Sequence, residues 1–395
     1  MQFPLLPHRK HCEKVAVMRT SDLRFLVAWL LPLLTIFTVL LTPAYTALST
    51  LAVWWGIALL DALLPGGKSS PAPLDPAASP AYFRAVLRLY VPLQVALIAA
   101  GAYAAANADW FVVLGIAFSV GFITGSQGIT FAHELGHSKS KIDRFFAWVL
   151  MTSVCYGHFM VEHYRGHHPR AATQADPASA RFGESLYRFL PRSVWGSFAS
   201  GWQLEAQRIR QFKSSWVRSP LAWSSALSLM LFVLAAHYLP TQAAIKFVAF
   251  FAAQSVVAFV LLEIVNYIEH YGLQRQLIGY AGSRANRKPE PFGMMHAWNA
   301  DHVVSNSMLA NLQRHSDHHM HAWKPYPTLA LLPGPQLPTG YAGCILLAML
   351  PPVWFAVMHP RIAALTNGPS GNSGSGSESS RRVTTHLNPP HPGPQ

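Results

Sequence analysis

The residues best equipped for chemistry in this chain are histidines. There are 19 among 395 residues, and nine fall into four tight groups. His133 and His137 frame HELGH; His163, His167 and His168 lie in EHYRGHH; His270 lies in NYIEHYG; His315, His318 and His319 lie in LQRHSDHH. An HxxxH pair sets two imidazoles on one face of a helix, a turn apart, where both reach one metal ion. His133 with His137 and His163 with His167 have that spacing, and His168, about 100° further round the helix, suits a second ion. HxxHH in His315, His318 and His319 repeats the arrangement.

HELGH alone reads as H-E-x-x-H, the zinc peptidase signature in which Glu134 would activate water. A catalytic zinc needs three protein ligands and an open position. Nine imidazoles exceed that need, whereas two ions with four or five each would use them all. Imidazole suits iron, copper and nickel as well as zinc. Two redox-active ions beside an apolar bundle suggest oxygen chemistry on an apolar substrate, with Glu134 supporting the ligand pair rather than serving as a peptidase base. Asp176, Glu184, Glu269, Asp301 and Asp317 are the other candidate carboxylates, of which at least one is expected to orient an imidazole. His8, His11, His158, His237, His296, His321 and His359 stand singly and read as structural, and His302 is left outside the ligand set.

The elements that must position these groups are membrane helices. Hydrophobic residues make up 51% of the chain and charged residues 12%, against about 25% charged in ordinary soluble domains. Mean hydropathy is +0.23. Six apolar stretches, at about 24–41, 47–64, 84–106, 110–132, 221–239 and 243–267, each approach the ~20 residues that cross a bilayer. The fold class is therefore an all-α membrane protein, a six-helix transmembrane bundle with a histidine-rich cap. Weaker stretches at 145–159 and 341–358, the latter broken by Pro351-Pro352, read as interfacial or re-entrant helices. Glu263 and Asn266 share a helical face with His270 and should turn inward, because polar groups are costly in lipid.

Charge sets the expected orientation. With the N-terminus inside, outer loops near 42–46, 107–109 and 240–242 hold no Lys or Arg; of 30 basic residues only Lys246 lies near the outer face. The histidine cap is then cytoplasmic. Positive-inside bias accounts for much of the net charge of +13, and the scatter of basic residues among spans argues against a nucleic-acid partner. No cleavable signal peptide is expected ahead of the first span. The organisation reads as a cytoplasmic segment 1–23, a membrane domain 24–364, and a tail 365–395 too poor in hydrophobic residues to fold. A Pro/Ala/Ser loop at 65–81 joins spans two and three. Cys12, Cys155 and Cys344 form no CxxC pair, so neither a disulfide framework nor a thiolate metal site is expected.

HELGH, EHYRGHH, NYIEHYG and LQRHSDHH, in this order and at these separations, closely resemble the four histidine motifs of the integral-membrane alkane monooxygenases, relatives of membrane fatty-acid desaturases and xylene monooxygenases. DPASARFGES (Asp176–Ser185) and LPTGYAG (Leu337–Gly343) are also similar, and the likeness covers about residues 20–362. The resemblance implies a centre of two non-haem iron ions ligated by His133, His137, His163, His167, His168, His270, His315, His318 and His319, with no haem or flavin. It implies terminal hydroxylation of alkanes drawn from the bilayer lipid. It also implies electrons from rubredoxin and its NADH-dependent reductase. Lacking CxxC pairs of its own, this chain would take rubredoxin as a separate, acidic partner on its basic face. Spans one to four and six are expected to form the alkane slot, with Trp54 and Trp55 setting its depth. A desaturase or xylene-type hydroxylase, a zinc peptidase and a metal transporter remain as alternative readings.

Overall fold

The computed structural model describes residues 20–64, 81–278 and 288–367. The loop at 65–80, nearly all of the N-terminal segment, and the tail beyond residue 367, with His8, His11, His386 and His391, lie outside the described residues.

Six helices are long and apolar enough to span a membrane: Asp22–Leu41, Pro43–Leu63, Ala81–Asn107, Trp110–Gly136, Pro220–Tyr238 and Thr241–His270. They match the six stretches read from the sequence. Pro43 and Pro220 open the second and fifth spans, where the missing N–H costs nothing. The Thr38 and Thr46 hydroxyls bond to each other at 2.9 Å across the turn between spans one and two. Large side chains such as Leu33, Leu48, Phe111, Leu229 and Val233 are exposed along these helices, as a lipid-facing surface requires. Lys246 lies near the end of span six opposite the cap and reaches the Ala106 carbonyl at 3.5 Å.

Span four is the axis of the bundle and packs closely along span six. Gly121 and Gly125, one turn apart, make this possible. A Cβ on Gly125 would lie 2.7 Å from the Ala258 Cα, and one on Gly121 would lie 2.7 Å from the Val257 Cβ.

The cap is built from the two polar blocks. Between spans four and five run Lys141–Thr152, a helix at 159–170, and Leu186–Gln211. The first half of the 145–159 stretch thus belongs to the short helix Lys141–Thr152, which exposes Ile142 and Phe145. After span six come two short helices, Val303–Met308 and His315–Met320. Among the described residues the one sheet is a two-stranded pairing of Leu277–Ile278 with Lys288–Pro289. Trp298, fully buried, ties this block to span six: its backbone N–H donates to the Glu269 carbonyl at 2.8 Å and its indole to the Tyr271 carbonyl at 2.8 Å. Asp61 of span two accepts bonds from the Ser305 backbone and hydroxyl. Pro351-Pro352 does break the last apolar stretch: Tyr341–Ala348 and Pro351–Leu365 meet at 119°.

Gly125→Val should overpack the span four–span six contact by about 1–3 kcal/mol and lower the melting temperature in detergent. Gly56→Val, where a Cβ meets open space, should leave it unchanged. Equal melting temperatures for both variants would contradict this packing.

Candidate metal centre

The cap end of span four carries the first histidine pair. His133 and His137 lie one turn apart, and the Tyr164 hydroxyl donates to the His133 carbonyl at 3.0 Å. Gly136 is required beside them, because a Cβ there would collide with that hydroxyl.

The second group departs from the spacing argument. Residues 163–167 form a π turn, in which the His168 N–H donates to the His163 carbonyl. A π turn aligns residues five apart rather than four. His168 therefore meets His163 edge to face, with Nε2 atoms 3.0 Å apart, and the His167 Nε2 belongs to the other set. The expectation that His163 and His167 share an ion while His168 serves another is corrected: His163 pairs with His168. In the helix His315–Met320 the ordinary period holds. His315 and His319 face each other at 3.0 Å, whereas His318 points the other way, 2.7 Å from His133 Nε2.

Nine imidazoles thus fall into two sets. His133, His137, His163, His168 and His318 form one; His167, His270, His315 and His319 form the other; within each, one ligand atom per residue lies within 4.8 Å of the rest. The sets adjoin, the rings of His168 and His319 being 4.5 Å apart. His158, His237, His296, His302, His321 and His359 belong to neither.

The geometry fits metal ions. Nitrogens 2.0–2.1 Å from one ion, at about right angles, stand about 3 Å apart, and the closest Nε2 pairs lie between 2.7 and 3.3 Å. His167 Nδ1 bonds Asp176 at 2.8 Å, which leaves its Nε2 as a buried atom with no partner. His270 Nδ1 is held at 3.4 Å by the His296 carbonyl. Both tautomers then present a lone pair inward, and converging lone pairs repel unless a cation lies between them. Burial, reinforced by neighbouring imidazoles, holds His137, His163, His168, His315, His318 and His319 well below the ordinary histidine range. Each is thereby kept in its neutral, ligating form. Burial works against this contact, but the attraction between His167 and the Asp176 carboxylate outweighs it, raising His167 and lowering Asp176; the carboxylate thereby holds the Nδ1–H of His167 and leaves Nε2 to ligate.

Of the six carboxylates singled out, two touch the centre. Asp176 orients His167 and is itself held by the Ser179 hydroxyl at 2.6 Å and the Ala178 N–H at 3.2 Å. Glu269 lies 3.3 Å from His315 Nε2 and accepts from the Tyr341 hydroxyl at 2.6 Å. The other four are committed elsewhere. Glu134 accepts the Tyr326 N–H at 3.0 Å, Glu184 pairs with Arg192, Asp301 with Arg314, and Asp317 with Lys324 and His321. An i+1 carboxylate on a helix projects away from the face its neighbour uses, which explains Glu134. Glu134 thus has neither the contact of an imidazole partner nor the placement of a peptidase base.

An apolar cavity runs from His133 up span four to Phe122, a distance of about 16 Å at 1.5 Å per residue. Leu31, Ile57, Leu261 and Val265 line it from spans one, two and six. Span three, expected to contribute, lines none of it, whereas Tyr341, Ala342 and Ile345 do. Trp54 belongs to the wall, its ring 5.1 Å from Phe122 and its indole donating to the Ala342 carbonyl at 3.1 Å. Trp55 does not. It is 60% exposed on the lipid side, as a step of about 100° along a helix dictates.

Residues 108–359 match the fatty acid desaturase family. The chain is 39% identical over 324 residues to alkane 1-monooxygenase 2 of Pseudomonas aeruginosa, covering 79% of this chain and 82% of that protein. It is 36% identical over 326 residues to alkane 1-monooxygenase of Pseudomonas putida, covering 80% and 78%. The xylene/toluene monooxygenase hydroxylase component of Pseudomonas putida is more distant, at 25% over 323 residues. The chain belongs to the integral-membrane alkane monooxygenases. It is thus a multi-pass membrane monooxygenase whose histidine clusters suit non-haem iron.

For this alkane monooxygenase the sequence reading missed the π turn, the His296 carbonyl and the Tyr341 hydroxyl. Glycine in EHYRGHH and the GFITG spacing at 121–125 were the available signals for the close approaches, but none marked the π turn itself.

Asp176→Asn should weaken metal binding at the four-histidine set by about 10–100-fold, measured by competition with a chelator. Glu134→Gln, which keeps an acceptor for Tyr326, should leave metal content and turnover nearly unchanged. Loss of activity with metal retained in Glu134→Gln would revive the peptidase reading.

Proposed function

We propose that this protein hydroxylates the terminal methyl group of alkanes to primary alcohols, using O2 and electrons from rubredoxin. The observation that carries the reading is the double position of His133. Its imidazole belongs to the five-histidine set and its side chain closes the inner end of the apolar cavity. A chain lying in that cavity presents its end, not its middle, to the centre. The relatives' names, alkane 1-monooxygenase, point to the same substrate and position.

Two non-haem iron ions, one in each histidine set, would supply O2 activation when bound. The protein's own residues do the rest. Leu31, Leu261 and Val265 shed water from the chain's path, and the narrow wall at Trp54 and Phe122 fixes how far the chain extends. Asp176 and the His296 carbonyl hold two imidazoles in the ligating tautomer. Weaker internal C–H bonds are kept from the centre by geometry alone.

Rubredoxin and its NADH-dependent reductase, as separate proteins, suit a chain with no CxxC pair and a basic cap. The absence of Lys and Arg from the opposite loops supports a cytoplasmic centre in a bacterial inner membrane. Acidic rubredoxin would then meet a complementary surface.

With rubredoxin, reductase, NADH and octane, purified protein should yield 1-octanol as the main product. Internal octanols or octene would overturn the terminal hydroxylase reading. Trp54→Ser should shift the chain-length profile toward longer alkanes, whereas Trp55→Ser should not. An unchanged profile in Trp54→Ser would remove the depth-setting role.

A further inference from the structure

The helix Leu186–Gln211 belongs to the polar block between spans four and five, yet its first half is built the wrong way round for water. Leu186 and Phe189 open its packed face, but beyond them that face is Ser193, Ser197, Ser200 and Gly201, all buried. On the other side Tyr187, Pro191, Trp195 and Phe198 are exposed, Trp195 by 70%. Their spacing of four, four and three residues keeps them on one stripe of the helix. A helix at a water surface turns its apolar stripe toward the protein and its polar side chains outward. Small residues inward and large apolar ones outward suit a helix that faces lipid.

The pattern then reverses. Beyond Trp202 the outward positions are Gln203, Gln207, Arg210 and Gln211, while Glu205 and Ile209 are packed. Aromatic rings gather at the change. Trp195 and Phe198, Phe198 and Trp202, and Trp202 and Trp216 follow one another at 5.8, 6.2 and 5.7 Å. Tryptophan favours the headgroup level of a bilayer, where one end is apolar and the other wet.

Contacts give the depth independently. Ser193 donates to Glu263 of span six, seven residues, about 10 Å, from the cap end of that span at His270. Counted from Lys246 near the other end, the ~20 residues that cross a hydrocarbon core finish near Asn266. Ser193 therefore lies at the edge of the core. At the start of the helix the Tyr187 hydroxyl donates to the Met349 carbonyl at 2.8 Å, and the neighbouring Leu350 and Val353 are exposed apolar side chains. The stripe thus continues an apolar surface already present on the bent last stretch.

We propose that residues 186–202 are embedded in the membrane, the aromatic stripe lying among lipid chains just below the headgroups, and that the helix leaves the bilayer at Gln203. The partner is the bilayer itself, because the inward serines, the depth of Ser193 and the adjoining apolar surface all call for lipid. The embedded half also seats the second histidine group. Arg170, two residues beyond His168, donates to the Ser200 hydroxyl at 2.7 Å, and Arg192 donates to the Ser179 carbonyl at 3.1 Å beside Asp176.

The test attaches a nitroxide at Trp195→Cys, Phe198→Cys, Gln203→Cys or Gln207→Cys, with Cys12, Cys155 and Cys344 replaced by serine, in lipid nanodiscs. Collisions with O2, which concentrates in lipid, are compared with collisions with a water-soluble nickel chelate. O2 should prevail at 195 and 198, and the nickel chelate at 203 and 207. The nickel chelate prevailing at 195 would overturn the proposal. Shielding from both reagents, with dipolar broadening between labels, would overturn it in favour of a second copy of the chain. A second measurement uses the unaltered protein and stands even if the serine variant fails to fold. Phosphatidylcholine with a diazirine in its acyl chain should label peptides from 186–202 several-fold more than peptides from 203–211. Equal labelling of the two, or none on 186–202, would contradict the embedding.

Discussion

Nine imidazoles converging where the cap meets the ends of spans four and six set the terms for the rest of this fold. Their Nε2 atoms approach to about 3 Å, and for His167 and His270 the opposite nitrogen is already bound. A cation in each set would be held by these inward-facing nitrogens. Every nearby feature holds that convergence in place. Gly121 and Gly125 bring span four against span six, Gly136 admits Tyr164 beneath the first pair, and the π turn at His163–His167 divides one run of histidines between two sets. Trp298 pins the second cap block under His270.

The same helix that delivers His133 to the metal centre also walls the cavity. On the proposed function span four would be both scaffold and substrate guide, because it carries His133 and lines the cavity. Asp61 and Ser305 extend this coupling, since their bond joins span two, which carries Trp54, to the cap helix Val303–Met308. The wall at Trp54 and the second cap block are therefore joined by a direct hydrogen bond.

Much of this was legible in the sequence because the signals are strong and physical. Uninterrupted apolar stretches give six spans, Pro351-Pro352 gives the break, and clustered histidines give the ligands' neighbourhood. What failed depended on local helical phase. His163 and His167 sit four apart, and ordinary helix geometry pairs them; only the π turn, invisible in residue spacing, pairs His163 with His168. Adjacent tryptophans looked equivalent until the helix sent Trp54 inward and Trp55 to lipid. Carboxylates near histidines in sequence were poor guides for a similar reason. Glu134 and Asp317 lie beside ligands along the chain yet point to Tyr326 and Lys324. Asp176, nine residues from His167, reaches it through a turn.

The central claim is that two adjoining histidine sets, five and four, each hold one iron. An anomalous difference map recorded at the iron absorption edge from iron-loaded crystals tests it directly. The account predicts two separate peaks, one among His133, His137, His163, His168 and His318 and the other among His167, His270, His315 and His319. A single peak, or a peak that follows the zinc edge instead, would contradict it.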